Sequence, residues 1–382
     1  MNEESERNHR TGRESLWSDF WRQFRKRRMA VAGLLIFLAF FAVAVAGWFL
    51  TTGDKPILHP SIVRLPEKLR PPFSLPRAEA LRPEQVPALK IYLMGTDELG
   101  RDVFARMMQG AWVSLTVGFV AVGIAVGIGI ILGGVAGYYG AVPVRLGPVL
   151  AAVGLGGGVV AAIMGRWWLA VWFTGFGAAW LALSIAPGRR KGGPVSGWFR
   201  WSVLPCFSVD TFIMRLVDIM LCFPSFFLIL TVVALLPASI YNIMAVIGLT
   251  GWMGATRFVR AEFLALREQD FVAAAQALGV SSARIIFRYL MPNAVAPVLV
   301  SATLGIAGAI MTEAGLSFLG FGVPPPHATW GNILSDGKRF LFDAPWLTLI
   351  PGVAVLIVVL AFNLFGEGLR EVLNPRLRER KI

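Results

Sequence analysis

The sequence has 382 residues, of which 56% are hydrophobic and only 15% are charged, and its mean hydropathy is +0.64. Soluble globular chains carry about 25% charged residues, so this composition excludes a cytosolic protein and indicates one that lies in a membrane. The formal net charge of +13 would also fit nucleic-acid binding. Lys and Arg, however, collect in the cytoplasmic segments of membrane proteins, where they meet anionic headgroups. We therefore predict membrane lipids, and no nucleic acid, as partners.

The N-terminal region predicts a first membrane span. Residues 1–28 are rich in charge and end in the basic cluster 25–28, and the uncharged run 29–50 follows. This run is longer than the roughly 7–15 apolar residues of a secretory signal and can cross about 30 Å of hydrocarbon. We expect 1–28 to be a cytoplasmic segment and 29–50 to be the first transmembrane helix.

Further charge-free runs predict seven more spans. One of them, 219–256, is too long for a single crossing, and we expect Pro237 to divide it. Eight crossings return the C-terminus to the cytoplasmic side of the N-terminus. The predicted spans after the first are 111–139, 146–165, 167–188, one beginning near Phe212, one beginning near Tyr241, 289–312 and 344–366.

The loops between these spans support that orientation. Most Lys and Arg fall in the segments assigned to the cytoplasm, which include 257–288 and the tail 367–382. The outer loop 51–110 has eight prolines between residues 54 and 87. Proline at this density blocks helix interiors and central strands, so we expect extended chain that becomes ordered on contact with the rest of the protein or with a partner.

The cytoplasmic segment 257–292 has the pattern of two short helices joined by a tight turn. Gly279 suits a left-handed helix end, Ser281 or Ser282 can cap the second helix, and Pro292 is expected to end it. The face of these helices mixes small residues with Phe271, Phe287 and Arg284, and nothing in the bilayer requires such a projection. We predict a cytoplasmic knob that fits a groove in a partner protein.

Two stretches of this segment resemble the EAA loop of ABC importer permeases. One is Phe-Val-Ala-Ala-Ala-Gln-Ala-Leu-Gly, ending at Gly279, and the other is Ile-Ile-Phe-Arg-Tyr-Leu-Met-Pro-Asn, beginning at Ile285. The family pattern is Glu-Ala-Ala, three residues, Gly, nine residues and Ile-x-Leu-Pro. Four positions hold this spacing, namely Ala274, Ala275, Gly279 and Pro292, and three depart from it, namely Ala273 for Glu, Tyr289 for Ile and Met291 for Leu.

The resemblance implies that this loop docks in a cleft of a separate ATPase subunit. Loss of the family's Glu at Ala273 puts one charged contact in doubt, whereas the packing of small and apolar residues is retained. The residues implied in docking are Phe271, Ala273, Ala274, Ala275, Gly279, Arg284 and Pro292.

Other segments are similar to the dipeptide/oligopeptide/nickel permeases, and specifically to the C-type partner of that permease pair. They lie at 95–102, 313–320, 324–331 and 361–376. The resemblance covers about 17–50, 93–139 and 207–378. It implies an all-α polytopic membrane protein with the six-span core of a type I ABC importer permease, residues 207–366 forming the part after the second span.

The implied partners are a homologous second permease, two ATPase subunits and a periplasmic or lipid-anchored solute-binding protein in the bacterial inner membrane. The resemblance assigns no cofactor to this chain and places ATP and Mg²⁺ on the ATPase subunits. Residues 141–206 are an insertion in this scheme and add a two-helix hairpin, which gives eight spans in total. An even number of added crossings preserves the orientation of everything downstream.

The sequence lacks the motifs of an enzyme or a metal site. No Gly-x-x-x-x-Gly-Lys-Ser/Thr motif for nucleotide phosphates occurs, and the three histidines do not cluster. Asp218, three residues after Arg215, and Glu313 are the ionisable residues near predicted spans. We favour an interfacial ion pair and an outer-surface acid, and the alternative is that Asp218 or Glu313 lines a translocation path. A self-contained secondary transporter is the other candidate class, but no half-to-half repeat is visible.

Overall fold

The computed structural model describes residues 16–53, 56–140, 142–163, 165–185 and 205–373. In these ranges the chain is helical apart from loops and one two-stranded ribbon, which confirms the predicted all-α class for the described part. The elements are α1 (Leu16–Arg25), α2 (Arg28–Thr51), α3 (Val103–Tyr139), β1 (Pro143–Arg145), α4 (Leu146–Ile163), α5 (Trp167–Ile185), β2 (Pro205–Ser208), α6 (Val209–Leu221), α7 (Ser225–Leu235), α8 (Ile240–Arg267), α9 (Asp270–Ala277), α10 (Ser282–Ile285), α11 (Met291–Phe318), α12 (Trp330–Gly337) and α13 (Trp346–Leu373).

Four of the described helices are long and apolar enough to cross a membrane, namely α2, α3, α11 from Pro297 onward, and α13. The pair α6 and α7 makes a fifth span if its two pieces cross together. The count of eight crossings stays a prediction, as does the end of the fourth span at 188, which lies outside the described residues. Most of the predicted N-terminal segment 1–28 and the end of the predicted tail 367–382 also lie outside the described residues.

The span predicted to begin near Phe212 has an additional, unpredicted break. Pro237 separates it from the next span as expected, but within the span α6 ends at Leu221, and α7 begins at Ser225 with an axis bent by 79°. Pro224 stands at the N-cap of α7, and a proline disfavours helical backbone in the residue before it. The continuous helix therefore stops near residue 222, and Pro237 lies in the turn between α7 and α8.

The second span begins eight residues earlier than the charge-free run indicated. Asp102 caps α3 by accepting a hydrogen bond from the N–H of Phe104 at 2.9 Å. The helix then carries Arg106 in its first turns, where the side chain is buried against Asp97 at 2.5 Å. A buried charge that is paired in this way does not end a helix. The start of the second span, predicted from the run without charged residues, was therefore placed too late.

The outer loop rests on the helix bundle and is less extended than predicted. It forms three short 3₁₀ turns, at Leu65–Glu67, Ala78–Ala80 and Pro83–Gln85. Tyr92 is fully buried in it, and burial raises the pKa of its hydroxyl to about 12. The loop reaches α13 through the indole N–H of Trp346, which donates to the carbonyl of Thr96 at 3.3 Å.

Glycines bring α3 and α8 into close contact. A Cβ added at Gly133 would lie 2.6 Å from the carbonyl oxygen of Thr256, and one added at Gly137 would lie 2.5 Å from Cβ of Phe263. Only glycine permits backbones to approach this closely, as is typical of helix pairs in membranes. These two helices form the most extensive interface of the bundle.

Two adjacent helices of the inserted segment, α4 and α5, form a helical hairpin, and its crossing of the membrane stays a prediction. Gly154 of α4 lies against Gly177 of α5, where an added Cβ would come within 2.6 Å of backbone atoms. The strands β1 and β2 pair antiparallel, with Pro143 opposite Ser208, and join the hairpin to the rest of the chain. This ribbon was not predicted, because its strands have only three and four residues and leave little pattern in the sequence.

The first and last spans meet at the same end of the bundle. Arg27, just before α2, pairs with Glu371 near the end of α13 at 2.5 Å. Phe24 of α1 is buried and lies edge-on to the ring of Phe365, with centroids 6.0 Å apart. Because α2 and α3 run antiparallel, with Gly47 against Met108, the end of α3 lies at this same end. We call it the basic end, after the cluster 25–28.

Candidate functional site

A two-helix knob, residues 270–290, projects between α8 and α11 at the basic end. Its first helix, α9, ends in a turn in which the N–H of Val280 donates to the carbonyl of Ala275 at 3.0 Å. Gly279 has φ +72° there, a left-handed conformation that glycine adopts without the steric cost of a Cβ. The expected helix-ending role of Gly279 follows from this geometry. Ser281 precedes α10, as predicted, but its side chain makes no capping hydrogen bond.

Pro292 does not end the second helix, which corrects the sequence interpretation. After α10 the backbone forms a π-helical turn, Ile286–Leu290, and passes directly into α11. The π turn interrupts the ordinary bonding pattern just before Pro292, which therefore occupies the first turn of α11. Proline is tolerated in that position because its missing N–H would have no partner within the helix.

One side of the knob is packed into the bundle. Val272, Ile285 and Leu290 are at most 1% exposed, and they join a cluster with Val259 and Phe263 of α8. The same cluster takes in residues of α3 and of the start of α11. The guanidinium of Arg267 also donates to the carbonyl of Tyr138 at the end of α3 (3.3 Å). The knob is thus fixed to three long helices, α3, α8 and α11.

Most of the predicted docking residues lie on the other, exposed side of the knob. Ala275 is the exception, because it is buried in the cluster just described and is not available to a partner. Two exposed apolar side chains that were not among the predicted docking residues also lie there, Leu278 at 83% and Phe287 at 69% exposure. The exposed members of the predicted set are Phe271, Ala273, Ala274, Gly279 and Arg284 on the knob, and Pro292 just after it in the first turn of α11.

The same three helices, with α6 and α7, line an open cavity of about 450 Å³, and several of its lining residues, Gly254 and Gly308 among them, are exposed. We call it the membrane cavity. Among the described residues that line it, none is charged, and many are small or carry a hydroxyl. This cavity was not predicted, although the helical spacing of small residues in α11 could have indicated it. The polar or small members are Ser225, Thr250, Gly251, Gly254, Ser301, Gly305, Gly308 and Thr312.

A second cavity, of about 490 Å³, opens at the opposite end of the bundle from the knob, and we call it the outer cavity. It is bounded by the outer loop, the turn before α8 and the segment 320–336. Arg101 and Arg106 lie at its wall, and both pair with Asp336 of α12, at 2.9 and 2.8 Å. These charges are matched within the protein, so they tie α12 to the start of α3.

Glu313 is not an outer-surface acid, and that expectation is wrong. It is fully buried between α3, α11 and α12, with Ser317 donating to one carboxylate oxygen at 2.7 Å and Ser114 to the other at 3.1 Å. It is absent from the described lining of both cavities. The two hydroxyl groups provide hydrogen-bond partners for the buried carboxylate, which is consistent with a role in holding helices together.

Asp218 pairs chiefly with a residue of another helix. Its carboxylate accepts a hydrogen bond from Arg257 of α8 at 2.6 Å, whereas the predicted partner Arg215 is 3.9 Å away. Arg260, one turn further along α8, donates two hydrogen bonds to Asp210. Asp218 therefore helps to tie α6 to α8, and it is not among the described residues lining the membrane cavity.

A bundle with four or five helices long and apolar enough to cross a membrane is the architecture of a polytopic membrane protein. A family model described as "binding-protein-dependent transport system inner membrane component" matches residues 192–379, and one described as "N-terminal TM domain of oligopeptide transport permease C" matches 15–66. The chain belongs to this family of transport permeases, in its C-type branch, which confirms the predicted family.

Several curated proteins are similar over nearly their whole length. The dipeptide transport system permease protein of Alkalihalophilus pseudofirmus is 33% identical over 364 residues, covering 95% of this chain and 91% of that one. The oligopeptide transport system permease protein of Bacillus subtilis is 29% identical, covering 96% and 91%. The dipeptide permease protein of Haemophilus influenzae is 29% identical, covering 94% and 95%.

Proposed function

We propose that this chain is one permease subunit of an ATP-driven, binding-protein-dependent importer of di- or oligopeptides or related small solutes. One observation carries the proposal: the helices α3, α8 and α11, which hold the buried side of the knob, also line the membrane cavity. Movement imposed on the knob is therefore passed to the walls of the cavity. The names of the relatives support peptides as the substrate class.

The proposed complex contains a homologous second permease, two ATPase subunits that bind ATP and Mg²⁺, and a solute-binding protein on the outer side. This chain binds no cofactor in the scheme and hydrolyses nothing itself. Among the described residues no group of three His, Cys, Asp or Glu could hold a metal ion. The basic end is cytoplasmic, because the Arg and Lys of residues 25–28 and of the knob lie there. Both termini are accordingly on the cytoplasmic side of the inner membrane.

In the proposed cycle the binding protein delivers solute to the outer cavity. ATP draws the two ATPase subunits together, and each carries its docked knob with it. ATP can drive the change from the outward-open to the inward-open arrangement only if the free energy of the docked knob differs between the two. Its apolar exposed face, with Leu278 and Phe287, supplies contacts for a groove in the ATPase, and its buried face moves α3, α8 and α11.

The test compares two phenylalanines at opposite ends of the molecule. Phe287→Asp places a charge on the exposed knob face, where it leaves the buried packing intact, and Phe342→Asp makes the same change at a 96% exposed position near the outer end. We expect Phe287→Asp to reduce co-purification of the ATPase subunits and ATP-dependent peptide uptake in proteoliposomes. Phe342→Asp should keep the ATPase subunits bound. Normal ATPase binding by Phe287→Asp, or peptide uptake by the chain alone along an ion gradient, contradicts the proposal.

A further inference from the structure

The first residues of α2 mark one boundary of the membrane. This helix is long and apolar enough to cross, and its uncharged run begins at Met29. The charged residue just before that run is Arg28, so the lipid headgroups lie at about this level. Only two residues separate the end of α1 at Arg25 from the start of α2. The end of α1 is therefore held at the level of the headgroups.

One buried ring fixes α1 to the bundle at this level. The ring of Phe24 contacts α13 at Phe365, and a Cβ added at Gly368 would lie 3.4 Å from Cε2 of Phe24. The ring of Trp21 stacks on Phe24 with centroids 5.9 Å apart, yet this tryptophan is still 44% exposed. Half-exposed tryptophan is typical of the headgroup region, because its ring is apolar and its N–H is polar. The end of α1 thus has the arrangement of an interfacial helix.

Positive charge is concentrated where α1 joins α2. Residues 22–28 include five Lys or Arg and no acid. Three of the five line an open pocket of about 470 Å³ between the start of α2 and α13, namely Lys26, Arg27 and Arg28. Glu367 and Glu371 of α13 also line this pocket, and Arg27 pairs with Glu371. The other two basic side chains of the lining are exposed, so the junction carries an excess of positive charge at the membrane boundary.

We propose that the junction of α1 and α2 is a binding site for anionic phospholipids. The acidic headgroup lies against Lys26 and Arg28, and the acyl chains follow the apolar surface that begins at Met29, which is 68% exposed. Clusters of about four to eight Lys or Arg beside a membrane span bind acidic headgroups, whereas a neutral headgroup carries its own ammonium group and gains little. The site requires only that α2 crosses the membrane and is independent of the importer function. Under the proposed orientation the lipids are those of the cytoplasmic leaflet.

A photo-reactive residue at position 21 identifies the lipid that lies there. The amino acid p-benzoylphenylalanine replaces Trp21 in the full chain, which is reconstituted with its co-purifying subunits in vesicles of phosphatidylcholine and phosphatidylglycerol. After irradiation, mass spectrometry gives the ratio of the two lipids attached to the protein, relative to their ratio in the vesicles. Trp48 is the matched control position, because it lies near the other end of α2 and is 49% exposed. No Lys or Arg occurs in residues 29–54.

We expect phosphatidylglycerol to be enriched among the lipids attached at Trp21 and not among those attached at Trp48. Lys26→Gln with Arg28→Gln should lower this enrichment at least about fivefold, which is the factor that one basic residue contributes near an anionic surface. Arg27 is left in place because it pairs with an acid of α13.

Removal of two positive charges at the outer end is the control for net charge. Lys338→Gln with Arg339→Gln, both at exposed positions, should leave the enrichment at Trp21 unchanged. The comparison of Trp21 with Trp48 involves no change of charge, so it decides the question even if a charge variant does not assemble.

The lipid site is overturned if phosphatidylglycerol is not enriched at Trp21 or is equally enriched at Trp48. Enrichment that survives Lys26→Gln with Arg28→Gln overturns it as well. Loss of the enrichment on addition of inorganic phosphate would mean that a free anion takes the pocket, which also contradicts a lipid site.

Discussion

Truncation of Phe263 to alanine is expected to loosen the knob from the bundle while leaving its exposed face intact. The ring of Phe263 is fully buried at the junction of α8, α3 and the knob, and a Cβ added at Gly134 would lie 3.3 Å from it. Loss of a buried Phe ring costs about 3–5 kcal/mol. That corresponds to a factor of about 150 to 4,000 in the equilibrium between the packed and loosened knob.

The measurement is the amount of peptide imported per ATP hydrolysed in proteoliposomes. Because Leu278 and Phe287 stay exposed on the knob, Phe263→Ala should still co-purify with the ATPase subunits. Force applied to the knob should no longer reach α3 and α8 efficiently. We expect the import ratio to fall at least about fivefold, the low end of typical coupling free energies.

The control is a phenylalanine of equal burial in another part of the bundle. Phe362 of α13 is 2% exposed and packs against the rings of Phe37 and Phe119, outside the cluster that holds the knob. Phe362→Ala should lower the thermal stability of the complex by a similar amount and keep the import ratio. The reasoning is refuted if Phe263→Ala keeps the normal ratio, or if Phe362→Ala lowers it equally.

Two further predictions concern the outer end and the insertion. Arg106→Ala removes the more deeply buried of the two arginines that pair with both Asp97 and Asp336. It should lower the free energy of thermal unfolding of the purified protein by up to about 3–5 kcal/mol. The same change at the more exposed Arg101 should cost less, and the reverse order contradicts this account. Replacement of residues 141–206 by a short Gly/Ser linker should leave both termini cytoplasmic in reporter fusions, because β1 and β2 hold the two ends of the segment side by side. An inverted C-terminus would rule out the parity argument.

Local features of the knob could be predicted from the sequence because they depend on few residues. The left-handed conformation of Gly279 follows from the lack of a Cβ, and the positions of the apolar spans follow from runs without charge. Pro292 misled the analysis, since a proline both ends helices and begins them. Only the π turn before it, which depends on packing at Leu290, decides between the two.

Features that depend on contacts distant in sequence could not be predicted. The burial of Glu313 requires Ser114, which is 199 residues away, and the early start of α3 requires Asp336, which is 230 residues from Arg106. A prediction of spans from runs without charge considers each ionisable residue by itself and therefore places that residue at the end of a span. Partners supplied by other helices remove the cost of burial, so such a prediction fails where these partners exist.

The same distinction explains why docking residues were accessible to sequence reasoning and the membrane cavity was not. A docking face is formed by one short segment, so its pattern is visible in consecutive residues. The membrane cavity is lined by residues of five helices, α3, α6, α7, α8 and α11, and none of these residues is distinctive by itself. The helix α8 joins the cavity to the knob, because its 28 residues span about 42 Å from the outer end to the knob. Along that length it lines the membrane cavity, pairs with α6 and ends in the buried cluster of the knob. A rigid helix with these three attachments makes the positions of cavity and knob depend on one another.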